Sequence, residues 1–96
     1  MGLTSTTVTV TTTATLLAAA DRGRRFIGIA NASGQHIHVG GSGVTTTNGI
    51  RLDSNDELLI QQQHENDHTP GQAWYAISPS GSQSVGVTLG TEGATT

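Results

Sequence analysis

Along Arg24–Asn31 (RRFIGIAN), Phe26, Gly28 and Ala30 alternate with Ile27 and Ile29. A period of two places successive side chains on opposite faces of a β-strand. The same period recurs down the chain. Ile37 and Val39 oppose His36 and His38 in Gln35–Val39, and Leu58 and Ile60 oppose Leu59 in Glu57–Gln63. Trp74 and Ala76 oppose Tyr75 and Ile77 in Gln72–Ser78, and Val85, Val87 and Leu89 share one side of Gln83–Leu89. Polar or glycine-bearing turns separate these runs at Asp21-Arg22-Gly23, Ala32-Ser33-Gly34, Asp53-Ser54-Asn55-Asp56 and Pro79-Ser80-Gly81. Short alternating strands between turn signals predict an all-β fold, a small antiparallel β-sandwich or jelly-roll-like domain. Both faces of Arg24–Asn31 carry apolar residues, which predicts a central strand or an interface.

The pattern weakens at both ends. Seven threonines crowd Thr4–Thr13, with Val8 and Val10 two apart on one face. Residues 1–15 therefore read as an extended Thr-rich N-terminal arm that adds to a neighbour's sheet, or as a first strand. Leu16–Ala20 (LLAAA) is too short for a stable helix and reads as a strand end leading into a turn. The β-sandwich domain is assigned to 16–90 and a flexible C-terminal tail to 91–96, a stretch without an apolar anchor.

Gly40–Leu52 (GGSGVTTTNGIRL) holds four of the thirteen glycines and an Asn-Gly pair. Asn-Gly between β-forming residues predicts a two-residue type I′ turn, in which both residues take positive φ. Asn48 and Gly49 would form that turn, with Val44–Thr47 and Ile50–Leu52 as the arms of a hairpin.

Composition adds limits. Only 11% of the residues are charged, lysine is absent, and the net charge is −3, so a general affinity for nucleic acid is not expected. No run reaches the length of an apolar membrane span. Large apolar residues are few for a chain that must order ninety-six positions. Small folds with that deficit use disulfides, metals or oligomers. With no cysteine, self-association is the favoured route and a trimer is expected, with assembly in the cytoplasm compatible.

Candidate chemistry is sparse. His64–His68 (HENDH) matches the zinc-protease pattern H-E-x-x-H, which needs a helix to set the two histidines one turn apart. Asn66, Asp67 and Pro70-Gly71 argue for a loop, and no further histidine follows. His36 and His38, two apart on a strand, lack the carboxylate that would complete a chelate, because Gly40, Gly41 and Gly43 occupy the following positions. Arg22, Arg24 and Arg25 form the only basic cluster and are suited to pairing with a partner's carboxylates. No nucleophile elbow or phosphate-binding loop is present. The chain reads as a non-enzyme without cofactor or metal.

The pattern of Leu16–Arg22, then Phe26–Asn31 (FIGIAN), Ile37–Gly40 (IHVG), Ser42–Leu52 (SGVTTTNGIRL) and Ala73–Ser78 (AWYAIS) resembles small virion proteins of tailed bacteriophages, the β-sandwich decoration (cement) and head-fibre type. The resemblance spans about 16–89, and it carries no catalytic motif. It implies a structural protein on the phage head surface, with the major capsid protein as partner, and no membrane or nucleic acid. A head- or tail-fibre or receptor-binding adhesion module is the alternative. For contact with a second copy or with the capsid, the candidates are Val8, Val10, Leu16, Leu17, Arg22, Arg24 and Arg25.

Overall fold

The computed structural model describes residues 2–21, 23–62 and 69–91. Eight strands follow in chain order: β1 (Gly2–Val10), β2 (Thr15–Ala18), β3 (Arg24–Asn31), β4 (Ile37–Gly40), β5 (Ile50–Leu52), β6 (Glu57–Gln61), β7 (Trp74–Ile77) and β8 (Gln83–Thr91), with a 3-10 turn at Thr69–Gly71. They form two four-stranded sheets, β1-β8-β3-β6 and β2-β7-β4-β5. Each pairing is antiparallel. The chain doubles back at the β4–β5 connection, so that β4 pairs with β5, β3 with β6, β2 with β7 and β1 with β8. This nested pairing is a jelly roll.

The core lies where the two inner faces meet. Val10, Ile27, Ile29, Val85 and Val87 come from the first sheet; Leu17, Ala18, Ile37, Val39, Leu52, Trp74 and Ala76 come from the second. Val8, Leu58, Ile60 and Leu89 pack against its margin. The alternation read along each strand thus matches the observed faces. Irregularities supply the exceptions. A register shift between Leu16 and Ala18 turns consecutive residues Leu17 and Ala18 inward, as a bulge does.

Residues 2–10 form a strand of the domain's own sheet: β1 pairs with β8 from Gly2↔Thr91 to Val10↔Gln83. The two valines facing inward give the strand its anchor, and Val10 is fully buried. Thr91, expected to open the tail, pairs with both Gly2 and Arg24 and ends β8. Residues 92–96 lie outside the described part.

The Asn48-Gly49 hairpin is a correction. Val44–Thr47 is not a strand, and β5 pairs with β4, through Ile37↔Leu52, His38↔Arg51 and Val39↔Ile50. That register puts Leu52 beside Ile37 in the core, a burial that the threonine run could not offer. Among the described residues, positive φ is found at Asn55 and Gly81, not at Asn48 or Gly49. The connection is instead a loop closed by side chains. Thr45 N donates to Asn48 Oδ1 at 2.7 Å, and Asn48 Nδ2 donates to the Gly43 carbonyl at 3.2 Å. Val44 is buried outside the main core, against Gly40 and Gly49 on the outer side of β4.

Gly49 therefore matters for close approach, not for backbone handedness. A Cβ there would stand 2.6 Å from Val44 Cγ2, 3.0 Å from His38 Cβ and 3.1 Å from Val39 N. Gly49→Ala is expected to destabilise the domain by about 1–3 kcal/mol, as overpacking does. Gly41→Ala in the same loop meets nothing within 4 Å and is expected to leave the melting temperature within a degree or two of wild type. Matching melting temperatures for Gly49→Ala and wild type would disprove the close-packing account.

Candidate functional site

The outer face of the β1-β8-β3-β6 sheet is built in rows. The register aligns Leu3, Gly90, Phe26 and Gln61, then Ser5, Thr88, Gly28 and Leu59, then Thr7, Gly86, Ala30 and Glu57. Glycine normally weakens a strand, having no side chain to pack. Here its absence of a Cβ lets neighbours lie down on the backbone. A Cβ at Gly28 would meet Leu59 Cδ2 and Phe26 Cζ at 3.2 Å each; one at Gly90 would meet Phe26 Cβ at 3.1 Å and Leu3 Cδ2 at 3.3 Å. The result is a low, smooth surface of Leu3, Phe26 and Leu59 spread over a glycine floor, with Leu3 67% and Leu59 60% exposed. Ser5 Oγ and Thr88 Oγ1 share a hydrogen bond at 3.2 Å beside it. Glu57 is the one charged residue in these three rows. Leu3 on β1 and Leu59 on β6 stand at opposite edges of this sheet, with Phe26 on β3 between them.

The candidates taken from the sequence fall elsewhere. Val10 and Leu17 are buried in the core, and Val8 is partly buried against its margin. Leu16 is 45% exposed and pairs with Tyr75 in the other sheet. Arg22 lies outside the described residues.

Arg24 is buried within the domain, 4% exposed. A register shift between Arg24 and Phe26 interrupts the alternation where it enters the sheet. Its Nε donates to the Pro70 carbonyl at 2.6 Å, Nη1 to Ala19 at 3.0 Å and Nη2 to Gln72 at 2.7 Å. Burial lowers the guanidinium pKa, and the nearby Asp21 carboxylate works against that shift. The side chain ties β3 to the end of β2 and to the Thr69–Gly71 turn. Arg25 is half-buried and, with Leu3, Phe26, Gln61 and Gln62, lines a depression at the edge of the apolar face.

His36 and His38 meet edge-on with ring centroids 5.2 Å apart. His38 Nδ1 is buried without a hydrogen-bond partner. Among the described residues no group of three or more His, Cys, Asp or Glu side chains gathers around a point, so the pair lacks a third protein ligand. Asp53 is drawn to Arg51, whose Nε donates to Oδ1 at 2.6 Å. That hydrogen bond is the main cause of its lowered pKa. The His64–His68 motif lies outside the described residues. A cavity of about 440 Å³ opens near the 3-10 turn, walled by Val39, Ile50, Trp74, Asn48, Thr69 and Gln72, with no ionisable side chain among the described residues of its lining.

Leucines 3 and 59 were not singled out as contact residues from the sequence. The glycines that they cover, Gly28 and Gly90, lie on other strands, so only the pairing register makes the face visible. No protein-family model, curated protein or solved structure matches this chain.

Proposed function

We propose that this chain is a structural protein of a tailed-phage virion, a decoration protein that binds the outer surface of the head and stabilises it. The resemblance carried by FIGIAN, IHVG, SGVTTTNGIRL and AWYAIS supports the reading. The observation that carries it furthest is the outer sheet face of Leu3, Phe26 and Leu59, low over its glycines and with the two leucines exposed. The jelly roll occurs in viral capsid domains, but also in lectins and cupins, so the face rather than the topology bears the weight. The major capsid protein is the partner assigned to that face. The trimer expectation loses the support of Val8 and Val10, which are used inside the domain.

Phage heads incubated with the protein test this. Wild type is expected to co-sediment with heads and to appear at icosahedral lattice positions in an electron-microscopy map. The double substitution Leu3→Glu and Leu59→Glu alters two exposed side chains and should leave the fold intact. At about 1.5–3 kcal/mol for each leucine buried on docking, and a factor of ten per 1.4 kcal/mol, it is expected to weaken head binding at least 100-fold. Undiminished binding by the folded variant would remove this face from the function. A few copies at a vertex or on the tail would replace decoration with a fibre role.

A further inference from the structure

We infer that the free edge of β1 is a self-association surface, on which a second copy of this chain pairs its own β1 antiparallel to form one continuous eight-stranded sheet. Each sheet of the sandwich has two edges, and the four are not alike. β2 is four residues long and carries a register shift; β5 is three residues long and exposes Arg51; β6 is five residues long and begins with Glu57. Shortness, bulges and charge are the devices that keep sheet edges from pairing with other chains. β1 has none of them. It runs nine residues, GLTSTTVTV, without a charge or a proline, and its pairing with β8 is unbroken. Nine residues present roughly 30 Å of strand edge. Among the described residues, no strand occupies its other side.

What completes such an edge is another extended backbone, and a second copy meets the requirement best. A chain of net charge −3 repels its copies wherever acidic groups meet, whereas the β1 edge brings no charge to the seam. Antiparallel pairing of a strand with itself is two-fold symmetric and self-complementary. Centred on Thr6, full overlap sets Ser5 opposite the partner's Thr7, a hydroxyl pair of the kind that favours cross-strand contact. It also sets Leu3 opposite the partner's Thr9. Cross-strand partners then share a face, so both Leu3–Phe26–Leu59 surfaces lie on the same side of the joined sheet. The inference does not rest on the capsid reading, and its test uses the isolated protein.

Sedimentation velocity between 1 and 100 µM is expected to show a species of twice the 9.8 kDa chain. Ser5→Lys with Thr7→Lys places like charges across the seam at two exposed positions and is expected to weaken the dimer at least 10-fold, with the circular dichroism spectrum unchanged. The chain has no native cysteine, so Thr6→Cys is expected to give a disulfide-linked dimer under mild oxidation, while Ser82→Cys, exposed in the turn before β8, stays monomeric under the same conditions. A wild-type monomer at 100 µM, a three-fold mass, or a dimer indifferent to the paired lysines would each overturn the inference.

Discussion

Arg24→Ala is expected to be among the most damaging single substitutions in this domain, lowering its stability by about 3–5 kcal/mol. A hydrogen bond from a charged donor contributes about 1.5–3 kcal/mol, and a buried acceptor left unpaired costs about 1–3 kcal/mol. Arg24 serves three carbonyls at once, those of Pro70, Ala19 and Gln72. The guanidinium fork reaches all three because its donors diverge in a plane. Lysine presents one ammonium and cannot reproduce that geometry, so Arg24→Lys is expected to recover less than half of the loss. Against a typical total of about 5–15 kcal/mol, the alanine variant is expected to be partly unfolded at 37 °C. Urea denaturation followed by tryptophan fluorescence reads this directly, since Trp74 Nε1 donates to the Thr69 carbonyl in the turn that Arg24 holds. A midpoint for Arg24→Ala within error of wild type would mean that water replaces the guanidinium without loss.

Asn31→Ala is expected to cost about 2–4 kcal/mol, on the same reasoning about buried polar groups. Asn31 is 1% exposed at the end of β3. Its Nδ2 donates to the carbonyls of Gln35, Leu52 and Asp53 at 2.8, 3.0 and 3.2 Å. Its Oδ1 accepts from Ser33 N at 3.1 Å and from Ser33 Oγ at 2.6 Å. The backbone joins in, with Asn31 N donating to Asp56 and Asn55 N donating to Asn31. One amide thus fastens the end of β3 to the Ala32-Ser33-Gly34 turn, to the end of β5 and to the turn before β6, across both sheets. Asn31→Asp keeps the acceptor and removes the donors, placing a carboxylate against three carbonyls, so it is expected to be worse than alanine. Both variants should shift the urea midpoint with an unchanged m-value. An aspartate variant as stable as wild type would show that the amide is not the fastening.

Neither residue looked exceptional in the sequence. Arg24 stood in a run with Arg22 and Arg25, and a basic cluster at a turn suggested pairing with a partner's carboxylates. The register shift entering β3 and the chain's return at Thr69–Gly71, 45 residues later, made it a buried support. Asn31 ended a strand before a turn, where asparagine is ordinary. Its five side-chain contacts include Leu52 and Asp53, residues brought near only by the jelly roll. At Gly49 the Asn-Gly pair suggests backbone handedness, whereas Val44 folding back over β4 imposes close approach.

What the sequence determined by itself was local. A period of two is a property of neighbouring residues, so β3, the core faces of β4, β6, β7 and β8, and the all-β class were legible from the order of apolar and polar positions. Only the tertiary structure decided which strand lies beside which. That choice turns on which apolar residues can be buried together: Ile50–Leu52 chose Ile37–Val39 over the nearer threonines, and Val8 and Val10 joined their own core rather than a neighbour's. The candidate face has the same origin. Leu3, Phe26 and Leu59 lie far apart in sequence, on three different strands, and Gly28 and Gly90 are ordinary breaks in a β pattern until pairing sets those side chains over them. Contact across strands depends on register, which long-range burial selects and local pattern does not encode.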